Sequence, residues 1–294
     1  MQRATRIPIA GVHSPVYHVS DTSSTLDLAA VLLTDTTTAT PHLTTIIADR
    51  QSAGRGRLGR TWTTPDGQAL LASTIVSLPT SFPTEMLGWL VHACALSVRD
   101  ALSPRLTPLG HTVSLKWPND VLVDGARKVC GILAQLAPAS SPFTTSAILG
   151  YGINIAQDAD HLATPQATSL YAEGDAEAGA DPTSVSHTLL AQILTGLDSR
   201  IRGLVTHGNA RDCGLADEAA NALPLLGTRI ALAKPTDPNG HPAMEGVALG
   251  LSPTGSLLVA TDDGRTHDIN AGDVLATGIP LTTVHDTKEK RANN

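Results

Sequence analysis

Apolar residues at Leu26, Leu28, Ala29, Leu32 and Leu33 recur at helical spacing directly after the polar run Asp21-Thr-Ser-Ser-Thr25. That pattern predicts a helix capped by the run, so the polar cluster stands at a helix N-terminus. Residues 43–48, LTTIIA, are β-branched and predict a strand feeding the Gly/Arg-rich stretch Gln51 to Arg60, which has to be a loop. Residues 69–78 predict a buried strand. Residues 84–102 predict a helix whose Leu87, Leu90, Val91, Cys94, Val98 and Ala101 share one face and which Pro104 and Pro108 end.

Three further strands are predicted at 113–117, 121–123 and 128–136, the last two joined through the tight-hairpin signal Asp124-Gly125. Residues 147–155 predict another strand, and its Gly150 and Gly152 leave room for a neighbouring group. Residues 156–183 are polar, acidic and punctuated by Gly and Pro, which predicts a mobile surface segment carrying no chemistry. A helix is predicted over 185–204. From Leu225 the pattern changes to short strands with turn signals, which suggests a small β-barrel of about 55 residues, near the lower size at which a domain folds alone.

With 41% hydrophobic and 16% charged residues in 294, the chain is globular rather than disordered. Its net charge of −7 provides no overall positive field, so neither nucleic acid nor an anionic membrane is an expected partner. From Leu225 to Pro280 three basic residues (Arg229, Lys234, Arg265) face six acidic ones (Asp237, Glu245, Asp262, Asp263, Asp268, Asp273), opposite to a nucleic-acid-binding barrel. No apolar stretch approaches a membrane helix, and the first residues lack the apolar segment of a secretory signal. Cys94, Cys130 and Cys213 form no CxxC pair, so neither a disulfide framework nor a zinc site is indicated. All three are expected to be buried thiols, and the compartment the reducing cytoplasm.

Candidate chemistry concentrates in Arg50-QSAGRGRLG-Arg60, which holds four arginines and no acid. Glycines 54, 56 and 59 allow close backbone approach, and guanidinium forks suit a carboxylate or phosphate. The loop reads as an anion cradle. It also satisfies G-x-G-x-x-G, but Pro65 and Gly67 in the following TWTTPDGQ prevent the helix that a dinucleotide turn must open, and no P-loop is present. Lys116-Trp-Pro-Asn-Asp120 puts a cation, a ring, an amide and a carboxylate at a strand end, a group able to hold a heterocycle or equally to cap a turn around a buried Trp. Lys128, starting a strand whose Gly131 permits close approach, is either an edge-strand charge or a functional cation.

In order, QSAGRGRLGRTW, KWPNDV, KVCGIL and GYGIN resemble the biotin protein ligases over Asp21 to Ile155, and LGTRIALA, GVALGLSPTGSLLV and INAGDV resemble that family's C-terminal unit. The resemblance implies an α+β fold: a catalytic domain (1–222) similar to class II aminoacyl-tRNA synthetases, with a mixed sheet and flanking helices. An SH3-like C-terminal β-barrel (223–280) and a tail (281–294) expected to be disordered follow. It implies that biotin and MgATP give biotinyl-5′-AMP and pyrophosphate, and that a lysine of a biotin carboxyl carrier protein domain then displaces AMP. Magnesium would arrive with ATP, without a protein cage.

By the same resemblance Ser24, Thr25 and Gln51 hold the ureido end of biotin, and Arg55, Gly56 and Arg57 close over the adenylate. Gly131 lets biotin approach, and Lys128 touches both the biotin carboxylate and the α-phosphate. Trp62 stacks adenine while Asn119 and Asn154 offer amide edges to the base. Lys128, Arg57 and Asp120 carry the chemistry, Asp120 by orienting or deprotonating the incoming lysine, with Arg60 and Lys116 adding charge behind them. Fixed positive charge suits a step in which one anion attacks another. Leu26 stands where the family commonly has Asn. Only 20 residues precede Asp21, too few for a DNA-binding module, so a monofunctional enzyme is expected. A lipoate or octanoyl ligase and a non-catalytic biotin or nucleotide sensor are the alternatives, with the oligomeric state open.

Overall fold

The computed structural model describes residues 4–35, 37–141, 144–233 and 242–279. In chain order these form β1 (Thr5–Ile7), β2 (Val16–Thr22), α1 (Thr25–Thr34), β3 (Thr45–Gln51), β4 (Ala69–Pro79), α2 (Gly88–Leu106), β5 (Val113–Lys116), β6 (Asp120–Val123), β7 (Arg127–Ser141) and β8 (Thr144–Asn154). Then come α3 (Ala176–Ala180), α4 (Pro182–His207), α5 (Leu215–Ala222), β9 (Arg229–Ala233), β10 (Pro242–Leu251), β11 (Leu257–Ala260), β12 (Thr266–Ile269) and β13 (Asp273–Ile279). The first eight strands build one mixed sheet in the order β1-β2-β3-β4-β8-β7-β6-β5. Its parallel pair is β2 and β3, the pair that α1 connects. The last five build an antiparallel sheet, β12-β11-β10-β9-β13.

The two faces of the large sheet are covered unequally. Leu70, Ala72, Val76 and Leu78 of β4, with Leu149, Tyr151 and Ile153 of β8, look toward α2 and α4 and join the main core. On the opposite face the helical cover comes from α1, whose Leu26, Ala29, Leu32 and Leu33 pack on Ile46, Ile75 and Ile148. The remainder of that face, toward the start of α1, is left open. Burial of Ile230, Leu232, Leu257 and Val259 in the same main core ties the second sheet to the first. The junction is polar as well: Trp89 Nε1 donates to Pro253 O at 2.8 Å, and His92 Nε2 to Gly255 O at 2.8 Å.

Several expectations are corrected. The helix predicted over 84–102 opens as a 3-10 turn, becomes α-helical at Gly88 and runs through Pro104 to Leu106, and a further 3-10 turn over 107–109 ends at Gly110 in the left-handed region (φ 90°). Pro104 loses one hydrogen bond and costs up to about 3 kcal/mol, whereas burying Leu102 and Leu106 stabilises by about 1.5–3 kcal/mol each, so packing wins. Residues 156–183 are not a loose surface segment. Thr168, Ser169 and Leu170 are buried, Lys128 N–H donates to Gln166 O at 2.7 Å, and Arg105 holds Asp175 at 2.6 Å. Ser24 occupies the N-cap of α1 but makes no side-chain cap bond. Cys94 and Cys130 are buried, while Cys213 is only half-buried. β1, β2, α3 and α5 escaped sequence reading, and the expectation of disorder for 281–294 falls outside the described residues. Among those residues no helix is long and apolar enough to cross a membrane.

His92 is fully enclosed, and its contact with a carbonyl means that Nε2 carries the proton of a neutral ring. Burial lowers its pKa, with the bond to Gly255 opposing. The folded state therefore refuses a proton that the unfolded state accepts below about pH 6.5, so stability falls as pH drops past that value, by at most about 1.4 kcal/mol per pH unit from this group. Urea unfolding at about pH 7.5 and about pH 5.5 should show a smaller loss for His92→Gln than for the parent, in which His42 and His187 add their own share.

Candidate functional site

The open part of the sheet face is floored by glycine. Gly131 of β7 and Gly152 of β8 are directly opposed, with Leu71 of β4 beyond them, and the next row along reads Ile46, Ser73, Gly150, Leu133. Without side chains at 131 and 152, the indole of Trp62 lies flat on the backbone. A Cβ at Gly152 would stand 2.5 Å from Trp62 Cε2, and one at Gly131 3.0 Å from Cζ3. Gly150 admits Leu26 in the same way, since a Cβ there would meet Leu26 Cγ at 2.8 Å. Leu26 thus fills a gap between α1 and the sheet, an apolar role in place of the amide that the family's pattern would put there.

Above this floor is a cavity of about 490 Å³, within the range of small-molecule sites. Every residue that sequence reasoning assigned to the site lines it, Arg60 and Lys116 included. Asp273 and the stretch carrying Ala163, Thr164 and Ala167 line it too, without having been assigned to it. The start of α1 and the end of β3 meet there: Thr25 N–H donates to Gln51 Oε1 at 2.7 Å, and Thr25 Oγ1 donates to the same oxygen at 3.0 Å. Gln51, from a strand 26 residues on, thereby supplies the cap that Ser24 does not.

The Gly/Arg loop is a narrow hairpin, with Arg55 and Thr61 bridged and Trp62 N–H donating to Gly54 O at 2.9 Å. Gly54 has to be glycine, because a Cβ would lie 2.3 Å from Trp62 O. Its arginines are each engaged. Arg55 reaches Asp27 Oδ1 at 2.6 Å and Gln135 Oε1 at 3.2 Å, and Arg60 pairs with Asp273. Arg57, the most enclosed of the three, donates to Asn119 Oδ1 and to Gly272 O at 3.2 Å each and lies 3.6 Å from Asp273. Burial lowers the Arg57 pKa, with Asp273 and Asp120 opposing.

Lys128 Nζ lies 2.6 Å from Asp120 Oδ1 and 5.6 Å from the centre of the Trp62 ring. Its backbone is fixed by the segment 164–168, since Thr168 N–H donates to Lys128 O at 2.8 Å. Asp120 faces Gly131 in the β6–β7 register, which brings the carboxylate to the glycine floor. The two amides expected at the base each commit one N–H to the fold: Asn119 Nδ2 to Ile132 O at 2.6 Å and Asn154 Nδ2 to Thr168 O at 2.8 Å. Each holds a wall of the cavity, and each carbonyl oxygen accepts as well, Asn119 Oδ1 from Arg57 and Asn154 Oδ1 from Gln157, which leaves one N–H of each amide for a ligand. Cys130 is enclosed nearby, and burial pushes its thiol pKa well up, so it is no nucleophile. The Asp273 contact spans 213 residues of sequence, and no local pattern around INAGDV announces it.

Residues 19–154 match the biotin/lipoate A/B protein ligase family, and residues 236–275 the biotin protein ligase C-terminal domain. The biotin-[acetyl-CoA-carboxylase] ligase of Mycobacterium tuberculosis is 34% identical over 230 residues, 78% of this chain and 77% of that protein. The corresponding ligase of Paracoccus denitrificans is 31% identical over 75% of this chain and 85% of its own length. The structure of the biotin protein ligase from Aquifex aeolicus in complex with biotin and ATP is similar with a TM-score of 0.61, over 88% of this chain and 97% of that one, at 24% identity, a likeness of fold.

Trp89 and Trp117 are 1% and 2% exposed, so Trp62 is the tryptophan whose surroundings can change. Gly152→Ala places a methyl group against the indole and should expel it, shifting the emission maximum of the ligand-free protein to the red. The same substitution in a Trp62→Phe background should leave the spectrum unmoved.

Proposed function

The chain belongs to the biotin/lipoate A/B protein ligase family, and we infer that it is a biotin protein ligase, joining biotin to ATP as biotinyl-5′-AMP and passing the biotinyl group to a lysine of a carboxylase carrier domain. The observation that carries this reading is the pair of cations around Asp120. Lys128 is 2.6 Å from that carboxylate, and Arg57 feels its charge from the opposite loop, both in a cavity floored for a flat ligand. On this reading the large sheet with its helices is the class II synthetase-like catalytic unit, and the five-stranded sheet is the SH3-like C-terminal one.

In the first step a carboxylate oxygen attacks the α-phosphorus. The new O–P bond forms as the bond to the β-phosphate oxygen breaks and pyrophosphate leaves. Two anions must approach, and Coulomb repulsion between unit charges at 4 Å is about 4 kcal/mol at an effective dielectric of about 20. Lys128 and Arg57 offset that repulsion and hold the charge that develops on the phosphoryl oxygens. The cavity's carboxylates are Asp120 and Asp273, each already paired with a cation, so magnesium fits as part of the MgATP substrate. Among the described residues the one cluster with metal-ligand character, His111, Asp124 and Glu173, holds the guanidinium of Arg127 between its carboxylates and is an ion-pair network.

In the second step the amine nitrogen attacks the acyl carbon, the C–O bond to AMP breaks, and AMP leaves with the electron pair. Asp120 is the carboxylate able to take the amine's proton or hold its direction. The hydroxyl and amide groups of Ser24, Thr25 and Gln51 provide a polar end for a heterocycle, which the hydrocarbon end of octanoate or the dithiolane of lipoate could not use. That favours biotin over the related acids.

Lys128→Ala should slow adenylate formation by about 100-fold or more, the scale of losing one preorganised donor to a developing anion. A single-turnover assay with labelled ATP, run with biotin, lipoate and octanoate in parallel, measures this. Adenylate from biotin alone in the parent is expected, and near-normal adenylation by the variant would remove Lys128 from the role.

A further inference from the structure

Ser73 lies in the middle of β4 under the start of α1, fully buried, and it does not border the cavity. Its hydroxyl donates to Thr25 Oγ1 at 2.8 Å. Thr25 Oγ1 in turn donates to Gln51 Oε1 at 3.0 Å, and Thr25 N–H donates to that same oxygen at 2.7 Å. The direction of this relay is fixed by chemistry. A backbone N–H can only donate, so the Gln51 atom facing it must be the carbonyl oxygen and the NH₂ group must point away. The Thr25 hydroxyl, with one proton to give, gives it to Oε1 and has acceptor capacity left, which Ser73 fills.

Gln51 therefore turns two N–H donors and no acceptor to the Gly54 side, where a Cβ at Gly54 would stand 3.0 Å from Nε2. We propose that Ser73 is a positioning residue that acts through Thr25 to fix the donor face of Gln51, and so makes the heterocycle end of the site select ligands that present a carbonyl oxygen there, such as a cyclic urea. Rotation of the Gln51 amide would bring its NH₂ against the N–H of Thr25. Removing Ser73 leaves a buried hydroxyl with an unfilled acceptor and frees it to turn, which leaves the amide on the backbone N–H alone. Hydrogen-bond chains in enclosed surroundings strengthen one another, so the loss reaches Gln51 although Ser73 touches no ligand.

This inference rests on the biotin ligase reading, and the experiment separates the two. Steady-state KM and kcat are measured with biotin and with 2-iminobiotin, in which a nitrogen replaces the ureido oxygen, for the parent, Ser73→Ala, Gln51→Ala and the double variant. Ser73→Ala should raise KM for biotin about fivefold while KM for MgATP and kcat stay within about twofold, and it should change KM for 2-iminobiotin less than about twofold. In the Gln51→Ala background the effect on biotin should vanish. An equal rise with both acids, or the same rise without Gln51, would overturn the proposal. If Ser73→Ala does not fold, Ser73→Cys, which fills the space with a weaker donor, should give the same biotin-selective rise, and an equal rise with both acids in that variant would overturn the proposal in the same way. A parent that forms no adenylate with biotin would overturn the ligase reading instead.

Discussion

The site depends on a sheet that gives up side chains where its neighbours need them. Gly131 and Gly152 are opposed in adjacent strands, and each forgoes the packing that a β-strand interior normally gains. In exchange the backbone itself becomes a flat floor, on which Trp62 lies now and on which a planar ligand can lie. A single methyl at 152 would meet the indole at 2.5 Å, inside any van der Waals contact. The helix at the edge of this floor obeys the same rule. Gly150 is occupied by Leu26, so α1 can sit low enough for its first N–H to reach Gln51. Floor and polar end are thus set by one register.

The second constraint is electrostatic. A hairpin carrying Arg55, Arg57 and Arg60 without an acid of its own meets carboxylates from three other places: Asp27 from α1, Asp120 from β6 and Asp273 from β13. Arg55 and Arg60 are largely solvated, and pairs of that kind contribute about 0–1 kcal/mol. Arg57 differs in being enclosed, with a backbone carbonyl and an amide oxygen as well as a carboxylate around it. It is the arginine whose geometry is set before a ligand arrives.

Sequence patterning located the strands of the large sheet from β3 to β8 because each is a run of β-branched or apolar residues bounded by turn residues. It missed β2, where polar His18, Ser20 and Asp21 interrupt the apolar pattern and only Val16 and Val19 of its apolar residues are fully buried. It missed α5 because that helix has eight residues, rich in alanine, and starts at a glycine with positive φ in place of a capping side chain. The site residues were legible where they sit in compact motifs. Asp273, Ala163, Thr164 and Ala167 were not, since they reach the cavity from distant sequence and are chosen by shape and charge at the destination. The acidic composition of 156–183 was misleading for a related reason. Two of its acids are ion-paired, Asp175 to Arg105 and Glu173 to Arg127, and Leu170 just before them in sequence is buried.

On the proposed ligase reading, the pairing of Lys128 with Asp120 would join the two half-reactions. Lys128 Nζ rests 2.6 Å from Asp120 Oδ1, so before a ligand arrives each charge has the other as its partner. On that reading the same carboxylate would become useful for the acceptor amine once Lys128 had an alternative partner, because an anionic adenylate would take over the ammonium and release Asp120. A nucleophile's base that is engaged before the intermediate exists and freed by its formation keeps the acceptor step behind the activation step. The proposed roles thus tie the order of the chemistry to competition between two anions for one lysine.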